Sequence, residues 1–154
     1  MPAAPSKLQL KYYYLKELSY FLKDSLEKEP GRKTHQKTVE LEITDLTTPV
    51  VDVPGDWRCE LTIKSTNPEK DHFYDFRIVL VGFFTLDSDI DPEMAQLIAE
   101  TNAPAVLYST SREIVATVTR RSPYPGTLLP TVTFLKETIR PPKVKKAAPR
   151  RTKQ

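Results

Sequence analysis

The sequence has one cysteine, four glycines and two histidines in 154 residues. The single thiol, Cys59, closes no disulfide within the chain and builds no cysteine-rich zinc site. It falls on the apolar side of an alternating stretch, which reads as a buried, inert thiol rather than a nucleophile. Four scattered glycines leave no dinucleotide fingerprint and no phosphate-cradling loop. His35 and His72 are far apart in sequence and have no motif neighbours, so both read as surface or strand-end residues rather than ligands or bases. No run approaches the roughly 18 consecutive apolar residues of a membrane span. The N-terminus lacks the charged-then-apolar layout of a signal peptide. These absences lead us to expect a cytoplasmic protein that is not an enzyme, with no catalytic residues, no metal site and no cofactor.

One motif imitates metal chemistry. Asp87-Ser88-Asp89-Ile90-Asp91 resembles the start of a calcium loop. The sixth place is Pro92 rather than the turn glycine, and the twelfth is Ile98 rather than a bidentate glutamate. Helix capping by Asp91 is the better reading.

The formal net charge of +3 hides a split. Arg140 to Gln154 holds seven basic residues and no acid, leaving 16 basic against 20 acidic groups elsewhere, a net of −4. Pro141, Pro142 and Pro149 interrupt that basic segment, so residues 140–154 read as a disordered tail. Residues 1–6, with Pro2 and Pro5, read as a flexible N-terminus. One folded domain over residues 7–139 remains, a size that supports a single modest core.

Within it the apolar pattern is mostly period two. Leu8, Leu10, Tyr12 and Tyr14 share one side of an expected strand, which we extend through about Leu18, while Leu15, Leu18, Leu22 and Leu26 also suit a helix. The aromatic group Tyr12, Tyr13, Tyr14, Tyr20 and Phe21 reads as core and sheet packing rather than a nucleobase platform. Residues 38–44 and 58–65 alternate as one-sided strands, and residues 67–71 read as a turn. Residues 73–84 form a longer strand, apolar on both faces from Ile78 to Phe84, in which Gly82 marks a close backbone approach. Residues 92–101 predict a short helix.

The chain is organised around Ala103 to Phe134. Pro104 suits a first helical turn. Leu107, Ile114, Val115 and Val118, with Ser111, follow helical spacing, and Arg120 and Arg121 fall in the expected last turn. The run from Ile114 to Thr119 is also β-branched enough to make a strand. Residues 122–126 and Pro130 break any helix, yet the loop is apolar at Tyr124, Leu128, Leu129, Val132 and Phe134.

This stretch resembles the SecB family of export chaperones. In that family a helix carries Pro, then Leu, then Arg-Glu-x-Ile, and ends at an aromatic-Pro pair. A leucine-rich loop and a Pro-Val-Asn-Phe motif follow. This chain has Pro104, Leu107, Arg112-Glu113-Ile114-Val115, Tyr124-Pro125, Leu129, and Pro130-Thr131-Val132-Thr133-Phe134. The proline is shifted by one place and Thr133 replaces the asparagine. The order and spacing continue upstream to about Lys7.

The resemblance implies an α+β fold, with an antiparallel four-stranded sheet packed against one long helix and one short helix. It implies a cytoplasmic holdase for unfolded preproteins, acting in protein export and translocation without ATP. It implies a homotetramer built as a dimer of dimers. An apolar groove of Tyr124, Leu128, Leu129, Val132 and Phe134, with Phe83 and Phe84, is the expected client site; the alternative for the loop is that its leucines cap the protomer core. Leu107, Ser111, Arg112, Ile114 and Val118 are the expected oligomer interface. Two departures stand out. The family's second helix over the groove is reduced here to a few residues before Pro141-Pro142. Arg77 stands where the family's translocase-facing sheet carries an acid, so docking of the translocase motor ATPase is altered. A SecB-like chaperone dedicated to one client, such as an antitoxin, fits the same residues. Nucleic-acid or ribosome binding through the basic tail is a separate reading. A small-ligand or hotdog-like enzyme domain has no acid–base pair to support it.

Overall fold

The computed structural model describes residues 2–22, 39–66, 74–124 and 126–135. Four strands are followed by one helix: β1 Leu8–Leu22, β2 Leu41–Pro49, β3 Asp56–Ser65, β4 Tyr74–Leu86 and α1 Pro92–Thr119. The sheet order is β1-β4-β3-β2, and every pairing is antiparallel. The α+β class and the four-stranded sheet are therefore as expected. His35, His72, the turn at residues 67–71 and the tail lie outside the described residues.

Alternation decides which face of β3 and β4 is covered. Cys59, Leu61 and Ile63 of β3 are buried, as are Phe76, Ile78, Leu80, Phe84 and Leu86 of β4. These side chains form one core with Leu107, Tyr108 and Val115 of α1. Leu41 and Ile43 of β2 pack against its margin. The outward residues of β3 are Arg58, Glu60, Thr62 and Lys64, as their alternation requires.

Period two fails in β1. The register shifts between Leu10 and Tyr12, and again between Leu15 and Glu17. Each shift is a bulge that transfers the following residues to the opposite face. Leu10 pairs with inward-facing Phe84, whereas Tyr12 pairs with outward-facing Phe83. Leu8 and Leu10 therefore do not share a side with Tyr12 and Tyr14. The strand also runs on to Leu22, past the expected end near Leu18.

The two expected helices are one. α1 is a continuous helix of 28 residues with Pro104 inside it. A mid-helix proline removes one backbone hydrogen bond and costs about 3 kcal/mol. Here the cost is offset because both halves pack on the same sheet, and Pro104 itself is buried. The buried stripe is Ala99, Ala103, Leu107, Ser111, Val115 and Thr119, each four residues apart. Its small members bring the helix close to the sheet. A Cβ on Gly82 would stand 2.8 Å from Leu107 Cδ2 and 2.9 Å from Phe84 Cε2. Gly82 is thus the close approach that its place in the strand predicts. Asp91 caps the helix, accepting from Glu93 N–H at 3.2 Å. At the other end the helix stops at Thr119 with Arg120 as its C-cap, and the last turn carries no basic residue.

Candidate functional site

Past the helix the chain doubles back and runs beside α1 towards the helix N-terminus. Buried polar groups hold this return. Thr119 Oγ1 donates to the Val115 carbonyl at 2.8 Å and accepts from Thr127 N–H at 2.8 Å. Arg112 Nε donates to the Leu129 carbonyl at 3.0 Å, and Tyr108 OH donates to the Pro130 carbonyl at 2.6 Å. Burial pushes the Tyr108 phenol above its ordinary pKa, so it remains a donor at neutral pH. Residues 127–135 are therefore extended, without being a strand, and are anchored through their backbone. That leaves alternate side chains free to differ in exposure.

The seven expected client-site residues divide among five surroundings. Leu129 and Phe84 are 0% exposed and belong to the core. Tyr124 is buried in a separate cluster with Tyr74, flanked by Tyr20 and Leu22. There Tyr74 OH and Ser122 Oγ share a hydrogen bond of 2.8 Å, and Tyr124 N–H donates to the same Ser122 oxygen. Val132 and Phe134 are half-buried at the core margin, with the Phe134 ring edge-on to Tyr108 at 5.8 Å. Leu128 is 68% exposed. Phe83 lies on the opposite face of the sheet, where it stacks on Tyr12 at 4.8 Å. The structure thus brings together Val132, Phe134 and the exposed Leu128 and Leu135 along one extended run.

The five expected interface residues also separate. Leu107 and Ser111 are buried against the sheet, and the Ser111 hydroxyl donates to the Leu107 carbonyl. Arg112 is half-buried and spent on Leu129. Ile114 and Val118 are half-buried, Ile114 at the core margin. The larger uncovered apolar surface is β1. Leu10, Tyr12, Tyr13, Tyr14, Leu15, Leu18 and Phe21 are all exposed, contrary to the core reading of its aromatics. The signal was present in the sequence as an unusually aromatic strand. Period-two counting missed it because bulges scramble the faces.

The outer face of the sheet is a lattice of ion pairs. Lys11 meets Asp56 at 2.8 Å, Arg58 meets Glu60 at 2.8 Å, and Lys16 meets Glu60 at 3.2 Å. Lys64 meets Glu42 at 3.1 Å and Arg77 meets Glu17 at 3.0 Å. Lys11 holds the Asp56 carboxyl below its ordinary pKa, and Arg58 with Lys16 does the same to Glu60. Asp56, Glu60, Glu42 and Glu17 on this face are therefore each paired with a cation. Among the described residues no cluster of His, Cys, Asp and Glu could hold a metal, and no helix is long and apolar enough to cross a membrane.

Comparison with known proteins bears on this arrangement. The SecB-like chaperone of Mycobacterium tuberculosis, solved in complex with a ChAD peptide from the HigA1 antitoxin, superposes with a TM-score of 0.56. That match is 16% identical and covers 82% of this chain and 91% of the other. A protein of unknown function from Streptococcus agalactiae superposes at 0.51, with 13% identity over 83% of this chain and 100% of that one. At such identities the likeness is one of fold. A protein-export protein SecB of Rhodospirillum centenum is 39% identical over 54 residues, which is 35% of this chain and about a third of that relative (32%). The family described as preprotein translocase subunit SecB matches residues 2–136, which spans all of the described residues. On that match the chain belongs to the SecB family.

Proposed function

We propose that this protein is a holdase chaperone that captures non-native polypeptides, export precursors among them, on apolar surface and without ATP. The observation that carries the reading is the extended run from Thr127 to Leu135. Its backbone is fixed by Arg112 and Tyr108, while Leu128 and Leu135 face solvent beside half-buried Val132 and Phe134. Apolar side chains are what unfolded chains share, and a strip of them needs no pocket shaped for one ligand. Binding only the unfolded form of a client displaces its folding equilibrium by mass action. Leu129 supports the strip from beneath rather than touching a client.

Association of copies fits the same reading. Tyr13, Leu15 and Leu18 on the edge strand β1 lie uncovered on the helix side of the sheet. A long apolar edge invites pairing with another chain, and several strips on one assembly would add avidity along a long client. Docking to a translocase motor through an acidic sheet face is not favoured, because Arg77 closes on Glu17 and Glu60 is held by Arg58 and Lys16. A chaperone serving a single client, such as an antitoxin, is the alternative. A capture assay separates the two, since a general holdase retains many unfolded proteins and a dedicated one retains a single partner. In the same assay Leu128→Ser should weaken capture roughly ten-fold with the fold intact, as removal of one buried leucine from an interface predicts. Unchanged capture would remove the strip from the mechanism.

A further inference from the structure

The β2–β3 turn and the connection from β4 to α1 meet at one end of the sheet. Leu86 N–H donates to the Gly55 carbonyl at 2.8 Å, and Val50 N–H to the Asp56 carbonyl at 2.9 Å. The turn needs left-handed backbone at Asp52 (φ 63°) and Gly55 (φ 83°). Between them opens a cleft of about 450 Å³, lined on its apolar side by Val50, Val53, Trp57, Leu86, Ile90 and Ala95. This is the size of a small-ligand or peptide-anchor site. It lies at the opposite end of α1 from Tyr124 and shares no residue with the strip described above.

The surround of the cleft is acidic. Asp56 and Asp87 line it, Asp52 stands in the turn, and Asp89, Asp91 and Glu93 follow along the connection into α1. On the adjoining β1 end stand Lys7 and Lys11, and Lys11 is tied to Asp56. The positive end of the helix contributes about half a charge. The excess is several negative charges around an apolar floor. A cationic peptide with an aliphatic or proline anchor is the complementary occupant.

We propose that the occupant is this chain's own basic segment, Arg140–Lys146. Its sequence, Arg-Pro-Pro-Lys-Val-Lys-Lys, supplies Val144 and the prolines as anchors and four cations as flanks. Consecutive prolines favour an extended conformation that docks readily against tryptophan-lined grooves. The direction of the chain also delivers it there. Thr127 lies against Thr119, Leu129 against Arg112, and Phe134 against Tyr108, so the return runs towards the helix N-terminus. From Tyr108 to Gln96 the helix spans about 18 Å. An extended chain needs about five or six residues for that distance, so Arg140 is within reach of the cleft. The tail therefore neutralises this acidic end in the resting protein and leaves it when salt or a competing cationic chain intervenes.

Trp57 lines the cleft and is the only tryptophan of the sequence, so its fluorescence reports occupancy directly. In the full-length protein, acrylamide quenching of Trp57 should rise about two-fold from low to high salt, as expected for a weak site filled at millimolar effective concentration. A Lys143→Glu, Lys145→Glu, Lys146→Glu variant should show the high-salt value at low salt. Adding Asp87→Lys and Asp89→Lys to that variant should restore protection. Quenching that ignores both salt and tail charge, with unchanged circular dichroism, would overturn the proposal. Protection that depends on protein concentration would also overturn it, because the occupant would then be a second copy. No client enters this readout, so it succeeds or fails independently of chaperone activity.

Discussion

β1 and β4 are paired along almost their whole lengths and are both rich in large apolar residues, yet they end in opposite states. β4 is central, with Ile78, Val79, Leu80 and Val81 all buried. β1 is an edge, and seven of its large apolar side chains are exposed. The difference is one of neighbours. β4 has a paired strand on each side, with α1 over Ile78 and Leu80, and on the outer face Val79 and Val81 are flanked by side chains of both β1 and β3. β1 has β4 on one side alone. Membership of a sheet with a core does not bury a strand. Flanking side chains on both sides do.

Mutations can test that contrast, beginning where the effect is largest. Leu80→Ala in β4 removes a fully buried side chain beneath α1 and should cost about 2–5 kcal/mol in denaturant unfolding. Gly82→Ala should cost about 1–3 kcal/mol by the same measurement, because its Cβ meets two buried side chains below 3.0 Å. A neutral result there would mean that the helix stands farther from the sheet than the fold described here. The paired change Leu15→Ser and Leu18→Ser on β1 should cost under about 1 kcal/mol in the protomer. Its effect should appear instead in light scattering behind size exclusion, as a fall in assembled mass. If it unfolds the protomer, β1 is covered in a way this comparison denies.

The smallest effect belongs to the outer face. Asp56 and Glu60 have carboxyls held below their ordinary values. Their contribution is therefore complete above the unfolded-state values and is lost as pH falls through the folded-state ones, below about pH 4. Acid titration of stability should show a shallow loss in that window. Arg77→Ala, which breaks an exposed pair with Glu17, should change stability by about 0.2–1 kcal/mol.

Much of this was legible in the residues. The alternation of Cys59, Leu61 and Ile63 placed β3 correctly. Asp91 announced the helix start, and Gly82 its closest contact. The loop after the helix was recognisable as apolar from Leu128, Leu129, Val132 and Phe134. Which of these leucines faces solvent was not legible, because two adjacent residues of an irregular segment have no period to assign them. The backbone grip of Arg112 and Tyr108 on carbonyls about twenty residues away leaves no mark in a local pattern either.

By itself the sequence determined the alternating faces of β2 and β3 and the helix start at Asp91, since these follow from a spacing of two and from a local capping signal. Only the tertiary structure decided that Pro104 would be carried through one continuous helix. It also decided where the bulges at Lys11 and Lys16 turn β1 over, and that β1 would go uncovered. Each of these outcomes depends on packing between segments distant in the chain. Such contacts outweigh the local preference of a proline or an alternating strand by a few kcal/mol at a time.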